Sequence, residues 1–148
     1  MAAGQRRFSV MGTNAFKMAD RLMSNQRLCR LLKYPCREPF AENLPDVNGE
    51  DLIHKQILIV PKLFDGSTEK MSYIVTVFDD FSILASNNEF KVSTVRFDVA
   101  CPYDEWVLND TSLRPYLIMQ EIDNMFNQSK MQGIGNLNFW RAYALTLS

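Results

Sequence analysis

This chain has little of what enzymatic sites are usually built from. One histidine, His54, and three cysteines, Cys29, Cys36 and Cys101, are all that 148 residues offer for soft metal ligation or nucleophile–base chemistry. A zinc site needs three or four ligands in convergent geometry. His54 has no Cys or His at a ligand spacing, and Cys29 and Cys36 are separated by a run containing Pro35 that matches no zinc knuckle. An odd number of cysteines closes no disulfide framework, which fits reduced, buried thiols in a protein made in a cytoplasm. No cofactor and no metal is expected.

Glycine is scarce too, with six in the chain. There is no P-loop, and Gly133-Ile134-Gly135 lacks both the third glycine and the strand-to-helix order of a dinucleotide fingerprint. No apolar run reaches the roughly 18 residues that crossing a membrane takes. The small, basic start at 1–7 is not followed by an apolar segment of signal-peptide type. Charge of one sign is missing as well: 16 Lys and Arg stand against 17 Asp and Glu. A near-neutral chain lacks the footprint that phosphate backbones select, so sequence-specific nucleic-acid binding is not expected. It also lacks the excess that holds monomers apart, which permits self-association.

What remains is an ordinary globular composition, 47% hydrophobic and 22% charged, at the usual size of one domain. Residues 1–12 read as a flexible N-terminal arm, with Phe8 and Val10 as possible anchors, and 13–148 as a single α+β domain. The spacing of Phe16, Ala19, Leu22 and Met23, then Leu28, Leu31 and Leu32, predicts helix over 13–34, broken at Ser24-Asn25 where a side-chain oxygen can cap a second start. Thr13 or Asn14 is the expected cap of the first. Lys17, Arg21, Arg27, Arg30 and Lys33 fall off that stripe as a basic face, either solvated or turned to an acidic neighbour. A proline-punctuated loop over 35–53, with Asn48-Gly49 as a turn, is long for a compact domain; connections of that kind are often functional or ordered by a partner.

The strands follow. Residues 56–60 (QILIV) are apolar on both faces and suit a strand covered on both sides. Asp65-Gly66-Ser67 makes a turn, 72–78 is rich in β-branched and aromatic residues, and Asn87-Asn88 turns the chain again. Over 91–101 the pattern alternates: Val95, Phe97, Val99 and Cys101 point one way, and Thr94, Arg96 and Asp98 the other. Pro102 ends that strand. Asp110-Thr111-Ser112 is the expected cap of a helix over 113–127, with Pro115 in its first turn. Gly133 and Gly135 return the chain to a last strand over 136–148. The expected order is α-β-β-β-α-β: an N-terminal helix and an antiparallel sheet of about four strands, with a second helix packed on one face.

Asp79-Asp80 could act as paired carboxylates, yet reads as a polar loop after a strand, and Asp104-Glu105 as a loop or helix entry. His54 with Cys101 or Cys36 is a nucleophile–base pairing that the sequence leaves open, the basis of an alternative reading as a small enzyme or host-directed effector. The more unusual stretch is 97–116, where Tyr103, Trp106, Arg114 and Tyr116 are of the types enriched at interface hot spots. With Thr94, Arg96, Asp98 and Trp140 these make the candidate interface set.

The runs 28–34 (LCRLLKY), 54–62 (HKQILIVPK), 97–106 (FDVACPYDEW) and 112–123 (SLRPYLIMQEID) resemble small structural proteins of tailed bacteriophages, encoded among the head–tail connection genes of phages of Gram-positive and gut bacteria. The resemblance spans roughly 20–138. The order of elements is similar to the tail terminator, or tail completion, fold, whose members form a hexameric ring that caps the tail tube and joins it to the head-closure ring. The resemblance implies a virion neck protein assembled in the host cytoplasm. Its partners would be copies of itself, the tail tube protein and a head-closure or adaptor protein, with DNA passing through the lumen. Head-closure and adaptor proteins occupy the same neck. Members continue past the last strand into another hairpin, where this chain stops. The 91–101 strand, the 136–148 edge and the 35–53 loop would supply a head-to-tail interface that closes into a ring.

Overall fold

A computed structural model describes residues 10–60, 71–84, 87–131 and 134–144, with strand residues 80–84 and 87–93 given by their backbone. The described residues form three helices and five strands. The architecture is α+β with an N-terminal helix, as the periodicity predicts, but the sheet differs from the expected one. Residues 1–9 of the arm, the Asp65-Gly66-Ser67 turn, Gly133 and residues 145–148 lie outside the description.

Helix α1 (Met11–Met23) begins two residues before Thr13, at a Val10 that makes no side-chain cap. Neither Thr13 nor Asn14 caps it; Asn14 is buried inside the helix. The stripe that faces the core is Ala15, Met18, Ala19 and Leu22, so Phe16 lies one position off and is 46% exposed. The break at Ser24-Asn25 is as expected. The Ser24 N–H closes α1 on Asp20 O, and Asn25 Oδ1 accepts the Leu28 N–H (3.1 Å) to start α2 (Gln26–Lys33). Helix α2 buries Leu28, Cys29, Leu31 and Leu32.

The loop after α2 is ordered by the chain itself. The Arg30 guanidinium donates to the carbonyls of Pro39 (3.1 Å) and Leu44 (2.9 Å) and to Asp46 Oδ1 (3.1 Å). The Gln26 amide clasps Val47 from both sides, accepting its N–H (2.7 Å) and donating to its carbonyl (2.8 Å). Arg27 stacks over Phe40 (4.1 Å to the centroid). Of the basic face, read as solvated or turned to an acidic neighbour, Arg30 is drawn into internal contacts, while Arg27 remains 61% exposed. A short 3-10 turn at Gly49–Asp51 brings the backbone against α1: a Cβ on Gly49 would sit 2.1 Å from the Met23 carbonyl oxygen.

Strand β1 is two residues, Ile57–Leu58, and runs parallel to β2 (Tyr73–Leu84), which pairs antiparallel with β3 (Asn87–Ala100). The expected uniformly antiparallel sheet is thus a mixed three-stranded one, in the order β1-β2-β3. The apolar run at 56–60 is covered on both sides only at its start. Ile57 is fully buried and Val60 is 66% exposed; a tight turn on Leu52 O, with His54 at φ 65°, precedes the strand. Asp79-Asp80 lies within β2 and not in a loop; the ladder shifts register between Asp79 and Ser82. In β3 the alternation holds. Val95, Phe97 and Val99 pack on the core, and Thr94, Arg96 and Asp98 pair across to Asp79, Val77 and Val75 on the other face.

The chain leaves β3 at Cys101-Pro102, makes a 3-10 turn at Tyr103–Glu105 and enters α3 (Arg114–Phe126). The N-cap is Leu113, without a side-chain bond, and Pro115 stands in the first turn as expected. Asp110 instead closes the preceding loop by accepting the Ser112 N–H (3.1 Å), which lowers its carboxyl pKa. Helix α3 buries Ile118, Ile122 and Phe126, the last stacked on Phe97 at 5.0 Å. The expected fourth strand of the sheet is replaced by a small separate hairpin, β4 (Ser129–Met131) with β5 (Gly135–Leu137). Gln128 at φ 55° turns the chain directly out of α3, so β5 finds its partner next door and stops after Leu137.

The Gly49 approach carries a test. Gly49→Ala forces a methyl group into the Met23 backbone and should lower the unfolding free energy by about 1–3 kcal/mol, the usual cost of overpacking. The measurement is a urea midpoint at unchanged slope.

Candidate interaction surface and its buried support

The candidate residues divide into three settings. The first is a polar ladder on the outer face of the sheet. Arg96 donates through Nε (2.9 Å) and one terminal nitrogen (3.2 Å) to Asp98 on its own strand, and through the other to Asp79 on β2 (2.7 Å). The Asp98 hydrogen bond is the largest cause of the raised Arg96 pKa; the charges of Asp98, Asp79 and Tyr143 add to it, against partial desolvation. Thr94 stands opposite Asp79 in the register. The face expected to be polar is therefore an organised cross-strand ion-pair group.

The second setting is internal. Arg114 is fully buried, so its expected surface position is corrected. Its guanidinium donates to three backbone carbonyls from three segments: Leu31 at the end of α2, Cys36 in the loop (2.7 Å) and Glu105 in the 3-10 turn (2.8 Å). Its own N–H donates to Trp106 O (2.7 Å). Burial pulls its pKa down, and the nearby charges of Glu105, Cys101 and Cys36 oppose that. The Glu105 carboxylate, itself buried, accepts from Ser72 Oγ (2.9 Å), and the Gln56 amide reaches from β1 to Leu32 O and Ser72 O (3.0 Å). Trp106 belongs to this support too: its indole N–H donates to Cys101 O (2.9 Å) and its ring is half-buried. A buried guanidinium is tolerated only when its donors are satisfied, and carbonyls from three segments satisfy them here.

The third setting is exposed aromatic surface. Tyr103 is 75% and Tyr116 59% exposed. After β5, residues 138–144 adopt no regular structure, and there Phe139, Trp140 and Tyr143 are 62%, 60% and 62% exposed. Arg141 lies over Trp140 (4.5 Å) and Tyr143 (5.4 Å). Of the residues at 139–143 the candidate interface set holds Trp140 alone, because 136–148 is read as a strand with Phe139 and Tyr143 on one of its sides. The signal it passed over is the density of the run 139–143 (FWRAY): three rings and a cation within five residues.

Little on the described surface is shaped for a small molecule. A shallow concavity of about 320 Å³ is lined by Cys36, Arg37, Glu38, Leu44 and Asn109 among others, and its polar groups already bond one another, Asn109 to Glu38 at 2.8 Å. Among the described residues no group of three His, Cys, Asp or Glu side chains converges. His54 meets the Phe16 ring edge-on at 6.1 Å. Burial pushes the Cys29 thiol up to about 11 and is also the main cause of the rise to about 11 at Cys101, where the Ser72 hydrogen bond and the Arg114 charge oppose it. Cys36 is exposed.

Two predictions follow from these settings. Arg114→Met leaves the carbonyls of Leu31, Cys36 and Glu105 without their donor and should cost about 3–5 kcal/mol, as removing one partner of a buried charged group does. Arg96→Ala, at a 41% exposed side chain, should cost less than about 1 kcal/mol; paired urea titrations compare them. For the thiols, unfolded cysteines ionise near 9.0 and the folded pair near 11. Between those values the unfolded chain binds fewer protons, so stability is full below pH 9 and falls as pH rises toward 11, by on the order of 2 kcal/mol per thiol. The fall should be shallower in Cys29→Ala, and a maleimide at pH 7 should label Cys36 and spare the other two.

No curated protein and no solved structure matches the chain. A family model does: YomW, a phage-derived name of the SPbeta-like prophage type, matches residues 25–148. That stretch takes in α2, the clamped loop, the sheet, the Arg114 support and the aromatic segment. With that match running over most of its length, the chain belongs to the YomW family, and is a phage-associated protein.

Proposed function

We propose that this protein is a structural component of the virion neck of a tailed phage, a tail terminator whose copies form a ring, hexameric by the resemblance stated above, that caps the tail tube and joins it to the head. In this reading no bond is made or broken. The protein acts through surface buried by its own copies and by the adjoining rings, and it is assembled in the host cytoplasm before it enters the particle.

The observation that carries the reading is the exposed aromatic segment, Phe139, Trp140 and Tyr143 around Arg141, on a chain of phage-associated family. Aromatic rings and arginine are the groups that dominate interface energetics, the rings because they bring large contact area at low cost in side-chain entropy and arginine through its planar fork of donors. Tyr103 and Tyr116 add further exposed rings. The near-neutral charge balance offers no long-range repulsion between copies.

The test is mass and docking partner together. Light scattering on the purified protein, alone and with tail tubes, should give a species several times the 17.1 kDa of one chain. Co-purification should then retain tail tube protein. Retention of portal or adaptor protein in its place would move the assignment to head closure, and a 17.1 kDa species with tails present would end the ring reading.

A further inference from the structure

The three-stranded sheet ends in an unusually open edge. Strand β3 runs for 14 residues, pairs with β2 on one side, and over Thr94–Ala100 has no backbone partner on the other among the described residues. A long flat edge of unpaired N–H and C=O groups is a template for another strand, and natural proteins ordinarily block it. The described edge carries no bulge there, because the register shifts of β2–β3 fall on the far side of Asp79. It also carries no proline.

The same chain holds an unpaired strand-like segment. Over 138–144 the one described backbone tie is Phe139 N–H to Asn127 Oδ1 (2.9 Å), at the root of the segment. Beyond it the backbone is unbonded among the described residues, although Tyr143 is near enough to contribute to the electrostatics of Arg96. Extended, the segment would place Phe139, Arg141 and Tyr143 on one face and Trp140 on the other. Fully exposed rings of this kind bring about 150–250 Å² each. At 60–62% exposure the three leave on the order of 400 Å² in water, divided between the two faces of such a strand.

We infer that residues 138–144 of one copy add as a strand to the Thr94–Ala100 edge of a second copy, an inference that rests on the ring reading above and names its joint. Two facts select a second copy as the occupant. Donor and acceptor lie on one chain, and neither has a backbone partner among the described residues beyond β2 and the Asn127 tie, which leaves both open to a second copy. The charges also match: Arg96 divides its donors between Asp79 and Asp98, and an incoming Arg141 brings a second cation to Asp98. Main-chain bonds supply the adhesion and alternate side chains the register, as in other strand additions. Repeated from copy to copy in one direction, the joint is heterologous and closes a ring; exchanged between two copies it closes a dimer.

The test uses the full chain with Cys36→Ser to remove the exposed thiol. Phe139→Ser, Trp140→Ser and Tyr143→Ser together should leave circular dichroism and melting temperature near those of the parent, since all three rings are exposed, and should raise the dissociation constant of the oligomer at least tenfold. In a second protein Thr94→Cys and Tyr143→Cys are combined and mildly oxidised. Bonds between chains, seen as a ladder on a non-reducing gel, support the inference; a bond within one chain overturns it. A parent oligomer whose mass the triple serine change leaves unaltered also overturns it, with the ring reading intact. A covalent dimer with no larger species keeps the strand addition and ends the ring. A parent that is monomeric at every concentration ends both.

Discussion

Everything else in this fold is arranged around a cation that has no access to water. Arg114 bonds carbonyls at the end of α2, in the following loop and in the turn before its own helix, while its N–H ties to Trp106. Each of those carbonyls belongs to backbone that regular structure has released: the end of a helix, a proline-flanked loop, a single 3-10 turn. Such groups need a donor when buried, and one planar fork of five N–H groups serves several at once. Glu105, Ser72 and Gln56 extend the same satisfaction to β1 and β2. The loop, the short parallel strand and the entry to α3 are thereby one unit, and the sheet is positioned against the helices through it.

What the sequence made legible follows from the range of the forces involved. The helix break at Asn25, the end of β3 at Pro102, the place of Pro115 and the two faces of β3 are decided within a few residues by capping, missing donors and the period of two. Apart from the caps expected at Thr13 or Asn14 and at Asp110, which failed locally, the misreadings involve distant partners. Arg114 looked like surface because nothing in its neighbourhood reveals carbonyls contributed from 78 and 83 positions away. Arg30 looked like part of the outer face because its partners, the carbonyls of Pro39 and Leu44 and the Asp46 carboxylate, come from the loop. The parallel direction of β1 and the detachment of β5 from the main sheet depend on where whole segments pack, and local pattern does not encode that.

The candidate surface was legible to a smaller degree. Composition singled out Tyr103, Tyr116 and Trp140, which are exposed, and equally Trp106 and Arg114, whose polar groups turn inward. Residue type tells which side chains are able to carry an interface; burial decides which remain available. Thr94, Arg96 and Asp98 were placed on the correct face, but their joining to Asp79 across the strands needed the register.

The clasp between α2 and the loop after it bears on how that loop can vary. A surface connection normally accepts insertions and deletions with little penalty, because chain closure grows only slowly in cost with length. Here Arg30 and Gln26 read the backbone at Pro39, Leu44 and Val47 from fixed positions two turns of helix apart or less. Adding or removing a residue inside that span would slide the carbonyls past the side chains that hold them. The segment with the least regular structure in the described chain is therefore among the least free to change in length, and its tolerance of tags, grafts or protease sites should resemble that of a core helix.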